Sequence, residues 1–273
     1  MHPRSPLVRL SCLTVVLVIL AGLVGPMLLP YDPFQMDTAH KLLPPSRAHL
    51  LGTDHFGRDI FTRILYGSRT TLFVGAISTL FSVTVGLILG IVAGYCGRTV
   101  DSLIMRAMDV MLSFPLVLLA LIIIAILGPG LRNVIVAVGV SQIPLFARLA
   151  RSMTLSVRQQ EFLEAAVGLG ARDIRILRLH LLPNIFAPIV VQATTTVAFA
   201  ILNATSLNFL GLGIQPPSPD WGSMINDFRR FIFDRPELPL YPGVALLVTV
   251  LSLNLLGDGL LELIDPTARR RLI

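Results

Sequence analysis

The chain has 273 residues, of which 54% are hydrophobic and only 14% are charged, against roughly 25% charged residues in an average soluble domain. This composition excludes an ordinary soluble protein and predicts an integral membrane protein. The net charge of +6 does not indicate a nucleic-acid partner, because the basic residues are scattered through short connections rather than gathered on one soluble module.

Motifs of several enzyme classes are absent from the sequence. No GxxxxGK[ST] phosphate loop occurs, so any ATP chemistry would belong to another polypeptide. Cys12 and Cys96 lie in or beside apolar runs without a CxxC pair, which argues against a disulfide, a metal site or a bound cofactor. No HExxH or GxSxG motif is present, which argues against a membrane enzyme. The histidines are scattered over the termini and loops: His2, His40, His49, His55 and His180.

The charge-free stretches of the chain predict six spanning helices, since each span needs about 20 mainly apolar residues. In chain order they lie between Arg9 and Tyr31, Arg69 and Arg98, Asp109 and Arg132, Arg132 and Arg148, His180 and Asp220, and Glu237 and Asp258. Arg4 and Arg9 precede the first stretch, as in a signal peptide. Because no small-x-small cleavage site follows, we expect an uncleaved span.

Two of these stretches have unusual lengths. The fourth, 133–147, would rise only about 22 Å as a helix, short of a hydrocarbon core of about 30 Å, so Arg132 and Arg148 are expected to extend toward the interfaces. The fifth is too long for one span, but glycines and prolines interrupt it after Leu210. This pattern predicts one helix over 185–210.

The distribution of arginine and lysine predicts the orientation of the spans. With a cytoplasmic amino terminus, six spans place both termini and the loop around Glu161 inside, together with thirteen of the 22 basic residues. Basic residues favour the cytoplasmic side of a membrane. The sequence therefore predicts an all-α membrane protein with six transmembrane helices and both termini in the cytoplasm.

The segment between the fourth and fifth spans is a charged island in an apolar chain. From 153 to 183 its pattern predicts two short helices joined at Gly168 to Gly170, glycines suited to a left-handed helix terminus. Pro183 suits the first turn of the returning helix. Small side chains would let a second protein approach the backbone, and apolar ones would contact it: Ala165, Ala166, Gly168 and Ala171, with Phe162, Leu163, Leu169 and Ile174. A solvated loop with helical ends is the alternative.

Two further groups of polar residues are candidates for function. The first, in the outer segment after the first span, is rich in turns and charges: Gly52, Asp54, Gly57, Arg58 and Asp59. It would form a rigid plug, a contact for a binding protein, or a loop whose charges pair with one another, with Arg58 bonded to Asp54 or Asp59.

The second group is a stripe of polar residues at helical spacing on the fifth span: Gln192, Thr196, Asn203 and Ser206. These residues would either line an aqueous path or form hydrogen bonds with a neighbouring helix. Trp221 is expected at the membrane interface.

The charged island also carries a family resemblance. Glu164, Ala165, Ala166, then Gly170 after three residues, and Leu182 with Pro183 resemble the EAA loop of ABC importer permeases. In that family the loop docks an ATPase. His180 departs from the pattern, which often has an apolar residue there. Longer segments resemble the C-type permease of dipeptide, oligopeptide and nickel importers: YDP from 31, LLPPS from 42, LGTDHFGRDIFTRILYGSR from 51, SLNFLGLGIQPPSPDWGSMI from 206 and NLLGDGLLELIDP from 254.

The resemblance implies a type I ABC importer permease fold in a bacterial inner membrane. It divides the chain into a first span with an extracytoplasmic segment (1–68), a five-helix permease domain (69–262) with a cytoplasmic coupling loop (152–183), and a cytoplasmic tail (263–273). The implied ATPase-coupling residues are Glu161, Glu164, Ala165, Ala166, Gly168, Gly170, Ala171, Leu182 and Pro183.

The resemblance further implies that the chain is a translocation subunit rather than an enzyme. Its implied partners are a second, B-type permease, two ABC ATPase subunits, an extracytoplasmic substrate-binding protein and membrane lipid. The expected substrates are dipeptides or oligopeptides, with nickel, glutathione or another small solute as the alternative. An ion-coupled secondary transporter is a distant alternative, because neither membrane-embedded ionisable residues nor repeated halves are evident.

Overall fold

The computed structural model describes residues 6–264, which are almost entirely helical. A 3₁₀ turn lies in the outer segment at Thr38–His40, and another follows α9 at Arg229–Phe231. The helices are α1 Pro6–Leu28, α2 Ile60–Cys96, α3 Arg98–Leu112, α4 Leu116–Leu127, α5 Leu131–Arg158, α6 Glu161–Gly168, α7 Asp173–Arg175, α8 Leu182–Phe209, α9 Trp221–Phe228 and α10 Glu237–Ile264.

Five helical segments of the described chain are long and apolar enough to cross a membrane, or six if α3 and α4 form one bent span. The predicted third span is therefore not a straight helix. Its two halves, α3 and α4, meet at an angle of 93°. Pro115 causes the break, because the residue before a proline is disfavoured in α-helical geometry, and Pro115 itself has extended backbone with ψ of 137°.

The fourth span is longer than its charge-free stretch. Helix α5 has 28 residues and rises about 42 Å, enough to cross the hydrocarbon core. Arg148 does not end the span, because α5 continues beyond it, and its Nη2 lies 2.5 Å from Asp109 Oδ1 on α3. One helical turn later, Arg151 forms a two-point ion pair with Asp101. That Arg132 and Arg148 extend toward the interfaces stays a prediction.

Helix α2 starts earlier than its charge-free stretch indicated. The carboxylate of Asp59 accepts a hydrogen bond from the backbone N–H of Thr62 at 2.8 Å and caps the helix. The helix then runs for 37 residues, or about 55 Å, so the proposed domain boundary at residue 68 falls inside α2. The outer segment is thus the 31 residues between α1 and α2, positions 29–59.

Glycines allow α2 and α5 to pack with their backbones in close approach. A Cβ added to Gly86 would lie 2.6 Å from Phe146 Cβ, and one added to Gly90 would lie 2.4 Å from the carbonyl oxygen of Ala147. Gly94 faces Thr154 in the same way, at 2.8 Å. Small residues spaced four apart are typical of tightly packed membrane helices. Since the contacts advance together along both helices, α2 and α5 run parallel.

Gly90→Ala is expected to lower the stability of the purified protein by about 1–3 kcal/mol, because the methyl group would force α2 and α5 apart. Gly243→Ala in α10 is the matched control. No atom lies within 4 Å of a Cβ at Gly243, and alanine favours a helix by up to about 1 kcal/mol over glycine. Thermal unfolding in detergent compares the two. Equal melting temperatures would contradict the close packing of α2 against α5.

Candidate coupling loop and outer network

The predicted coupling loop contains one short helix and then the start of a long one. Helix α6 ends at Gly168, and Gly170 adopts a φ of +78°. The N–H of Ala171 donates to the carbonyl of Ala166 at 3.1 Å, as in a Schellman helix end. The expected second short helix is not separate: α7 and a π-helical segment, Ile176–Leu181, lead directly into α8. Pro183 stands at the start of α8, as predicted, but follows π helix rather than coil.

Buried side chains and one hydrogen bond fix this loop to the bundle, and two further hydrogen bonds join the adjacent ends of α2 and α5. Leu163, Ile176 and Leu181 are buried. Tyr95 Oη, at the end of α2, donates to Asp173 Oδ1 at 2.6 Å. Arg158 Nη1, at the end of α5, donates to the carbonyls of Gly94 and Tyr95 at 3.0 and 2.8 Å. The loop is therefore positioned by the bundle and is not a loose connection.

The loop exposes several apolar side chains beside its charged ones. Leu169 is 89% exposed, and Ile174, Leu179 and Phe162 are also exposed. A Cβ at Gly168 or Gly170 would meet no atom within 4 Å. Ala165 and Glu161 are exposed, whereas Ala166, Ala171 and Leu182 are half-buried. The ring of His180, the position that departs from the family pattern, lies 6.1 Å from the ring of Phe162.

On the opposite side of the bundle, the outer segment is organised around one buried carboxylate. Asp54 Oδ2 accepts from Arg58 Nε at 2.6 Å, and its Oδ1 accepts from the backbone N–H groups of Phe56 and Arg58. Arg63 Nε lies 3.8 Å from the same carboxylate, and its Nη1 donates to the carbonyl of Pro33 at 2.7 Å. Of the two pairings that the sequence allowed for Arg58, the structure has the one with Asp54.

The remaining predicted residues of the outer segment have structural contacts. Asp59, besides capping α2, lies 3.0 Å from His49 Nδ1. Gly52 and Gly57 have φ of +77° and +79°, and a Cβ at Gly57 would lie 1.7 Å from the carbonyl oxygen of Asp37. Glycine is thus required there by both backbone conformation and space. All five predicted residues lie within one folded unit.

A second buried network joins three helices at the outer end and was missed by the sequence analysis. Asp220 is fully buried and caps α9 through the N–H groups of Gly222 and Ser223. It also accepts from Thr71 Oγ1 on α2 at 2.8 Å and from Asn208 Nδ2 on α8 at 2.6 Å. Burial raises the pKa of the Asp220 carboxyl. The available signal was an N-cap aspartate directly before a short helix.

Trp221 was predicted to face the membrane interface, but its ring is buried inside the protein. It is 1% exposed, and its Nε1 donates to the carbonyl of Ile64 on α2 at 3.0 Å. The close approach is possible because Gly67 faces the indole ring, where a Cβ would lie 3.0 Å from Trp221 Cδ1. The indole N–H, which would otherwise favour an interface position, is satisfied inside the protein.

The polar stripe on α8 forms hydrogen bonds mainly within its own helix. Thr196 Oγ1 donates to the carbonyl of Gln192 at 2.7 Å and is 3.4 Å from Gln192 Nε2. Ser206 Oγ donates to the carbonyl of Leu202 at 2.9 Å. Thr196 is buried, and Asn203 is half-buried. A role of the stripe in lining a substrate path stays a prediction.

His55 is partly buried in an aromatic environment of the outer segment and is expected to respond to acid. Its ring lies among Phe56, Phe228 and Phe231, with centroid distances of 4.0, 6.5 and 5.8 Å. Burial, reinforced by the charge of Arg230, lowers the pKa of His55 to about 4 from 6.5.

Between about pH 4 and pH 6.5 the unfolded chain therefore binds more protons at His55 than the folded protein does, so the stability of the folded protein should rise as the pH increases through this range. His55→Leu is expected to flatten this slope in thermal unfolding at pH 4.5 and 7.5; an unchanged slope would contradict the assignment.

These features define a polytopic membrane protein with a loop that exposes apolar side chains at one end and a folded polar unit at the other. Residues 86–270 match the family of binding-protein-dependent transport system inner membrane components. Residues 4–45 match the N-terminal transmembrane domain of oligopeptide transport permease C. The chain belongs to the family of binding-protein-dependent transport system inner membrane components, and is thus a multi-pass permease of the inner membrane and a translocation component of an ABC transporter.

Its relatives include permeases named for several small substrates. The chain is 44% identical to the dipeptide transport system permease protein of Alkalihalophilus pseudofirmus, covering 96% of this chain and 86% of that protein. It is 40% identical to a probable D,D-dipeptide transport system permease protein of Escherichia coli K12, covering 97% and 89%. It is 44% identical to the glutathione transport system permease protein of Pectobacterium atrosepticum, covering 93% and 85%.

A solved structure shares the fold. A chain of the MetNI methionine ABC transporter, in an inward-facing conformation, superposes with a TM-score of 0.61 at 20% sequence identity, covering 74% of this chain and 96% of that chain. This similarity shows the fold alone. The type I importer permease fold predicted from the sequence is therefore confirmed, with the third span bent.

Proposed function

We propose that this permease forms part of the translocation path of an ATP-driven importer for dipeptides or oligopeptides. The names of its relatives support this substrate class, since two of the three described above are dipeptide permeases. The relative named for glutathione, itself a small peptide, supports the same range of substrate size. Nickel or another small solute is the alternative.

The coupling loop is proposed as the docking site for a separate ATPase. The observation that carries this proposal is the exposed apolar surface at Leu169 and Ile174, 89% and 61% exposed, which lies on a loop anchored to α2 by the hydrogen bond between Tyr95 and Asp173. Exposed apolar groups on a fixed scaffold are typical of protein interfaces. The open space at Gly168 and Gly170 would let a partner approach the backbone there. Glu164, Ala165 and Ala166 lie on α6, within the same loop.

One continuous helical segment connects the coupling loop to the outer end of the protein. The helical segment Asp173–Phe209 joins α7, the π-helical turns and α8 without a break. At its inner end Asp173 is bonded to Tyr95. At its outer end Asn208 is bonded to Asp220. A shift imposed by a docked ATPase would therefore be transmitted along α8 toward the outer network, as alternating access requires.

The proposed assembly contains a second, B-type permease, two ATPase subunits and an extracytoplasmic binding protein that delivers the substrate. Both termini and the coupling loop are placed in the cytoplasm. ATP hydrolysis is assigned to the partner subunits, because the sequence has no phosphate loop.

Purification from the native membrane in mild detergent tests this proposal. We expect two nucleotide-binding subunits and a second permease to remain bound to the tagged chain. A chain carrying Leu169→Asp should lose the nucleotide-binding subunits but keep the second permease. Recovery of the unaltered chain alone, or only as a homo-oligomer, would contradict the proposed assembly.

A further inference from the structure

Helix α3 has three distinct sides, and it packs against the protein mainly through one of them. Successive residues on a helix turn by about 100°, which places Ile104, Met105, Met108 and Met111 on one side. These residues contact a cluster that includes Ile143 and Ala147 of α5. A second side is apolar and exposed: Val100 is 41%, Leu103 72% and Val110 63% exposed. The third side is polar and exposed: Arg98, Ser102, Arg106 and Asp109.

The direction of α3 relates these sides to the membrane. Helix α4, which packs through Ala120 and Ile124 against Val134 and Val138 of α5, runs alongside the outer half of that spanning helix. Since α3 makes an angle of 93° with α4, α3 lies close to the membrane plane. An in-plane helix with one apolar and one polar exposed side is typical of the boundary between lipid headgroups and acyl chains.

The length of α4 supports a position of α3 at the boundary between lipid headgroups and acyl chains. Its 12 residues rise about 18 Å, short of a hydrocarbon core of about 30 Å. An interfacial helix is buried about 5–10 Å below the headgroups. With α3 at that depth, α4 and the linker 113–115 can complete the crossing, which α4 alone cannot.

The charges of α3 indicate which kind of lipid headgroup it would bind. Its two acidic residues are engaged by α5, since Asp101 pairs with Arg151 and Asp109 with Arg148. Arg98 and Arg106 are exposed, and no ion pair joins either to the described part of the chain. Arg106 lies next to the apolar side, where a long arginine can reach from the acyl boundary to the headgroups. The exposed surface of α3 is thus cationic on the side toward the lipid headgroups and apolar on the side toward the acyl chains.

We propose that α3 lies in the inner leaflet and that Arg98 and Arg106 bind the phosphate groups of anionic phospholipids. The inner leaflet follows from the cytoplasmic orientation that the basic residues predict. The inference rests on the membrane embedding and the proposed orientation of the chain and does not depend on the transported substrate or on the ATPase.

Spin-label accessibility in nanodiscs containing phosphatidylglycerol tests the position of α3. Labels would be attached at Leu103→Cys, Val110→Cys and Ser102→Cys, in a background with Cys12→Ser and Cys96→Ser, in the complex as purified. We expect the first two labels to be relaxed by oxygen and shielded from a water-soluble nickel chelate, and the label at position 102 to show the reverse. Nickel access at all three positions would overturn the proposal. Shielding of positions 103 and 110 from both reagents would also overturn it, because a protein partner would then cover α3.

Lipid retention, measured by native mass spectrometry, tests the charge selection. We expect Arg98→Gln/Arg106→Gln to lower retained phosphatidylglycerol relative to phosphatidylcholine by about fivefold for each arginine removed. The matched control is Arg47→Gln, an exposed arginine of the outer segment that lies outside the spanning helices, which should leave the ratio unchanged. Arg98→Lys/Arg106→Lys should keep most of the retention. Equal retention by the double glutamine variant and the unaltered protein would overturn the proposed binding of anionic headgroups.

Discussion

Leu169→Asp in the coupling loop is expected to reduce ATP-driven uptake to background while the protein remains inserted and folded. Leu169 is 89% exposed, so the substitution removes no packing within the chain. At a docked interface the new carboxylate would be desolvated without a partner, which costs far more than the loss of one apolar contact. Uptake by the reconstituted complex and retention of the nucleotide-binding subunits are the two measurements.

Two other substitutions distinguish loss of docking from general damage. Ala165→Trp adds bulk to an exposed position of α6 and should also release the ATPase, by steric exclusion. Phe233→Asp is the matched control, because Phe233 is 96% exposed but lies in the connection between α9 and α10, at the other end of the bundle. This variant should retain the ATPase fully. Normal uptake by both loop variants would show that no partner surface contacts the loop.

Asp54→Ala is expected to destabilise the protein strongly. Asp54 is completely buried and neutralises Arg58, which is 2% exposed. Removing one member of a buried ion pair leaves an uncompensated charge and costs about 3–5 kcal/mol. The N–H groups of Phe56 and Arg58 would lose their acceptor as well. We expect a fall of several degrees in the melting temperature of the purified protein.

The control for this prediction is the exposed carboxylate of Asp37, which pairs with His40 in the same segment. Both side chains are at least half exposed, and the carboxylate otherwise only caps a 3₁₀ turn through the N–H of Ala39, so Asp37→Ala should lower the melting temperature far less than Asp54→Ala. A similarly small effect for Asp54→Ala would show that the outer segment does not depend on its buried ion pair. Loss of binding-protein contact with normal stability would instead favour a direct role of Asp54 in that contact.

Much of the span pattern could be predicted because apolar length is a local property of the sequence. The fifth span ends at Phe209, one residue before the predicted limit, since the following glycines and prolines interrupt a helix wherever the chain folds. The bend of the third span was missed although Pro115 signalled it. The charge-free stretch begins at Asp109, whereas Asp109 lies inside α3 and the helix breaks only at Pro115.

Contacts between distant parts of the chain could not be predicted. The pairing of Arg148 with Asp109 joins residues 39 positions apart, and its existence depends on how α3 crosses α5. The position of Trp221 was mispredicted for the same reason, because its hydrogen-bond acceptor is the carbonyl of Ile64, 157 positions away. In the coupling loop, by contrast, Gly168 and Gly170 marked the helix end correctly, since helix termination is decided by local backbone conformation.

Uptake of a radiolabelled dipeptide into proteoliposomes is the most direct test of the central claim. The vesicles would contain the purified complex, with the extracytoplasmic binding protein on one side and ATP on the side of the nucleotide-binding subunits. We expect uptake that requires ATP, the binding protein and this chain, and that falls to background when the chain carries Leu169→Asp. Uptake at the full rate from a complex lacking this chain, or uptake that follows a proton or sodium gradient without ATP, would contradict the assignment of this protein as the translocation subunit of an ATP-driven importer.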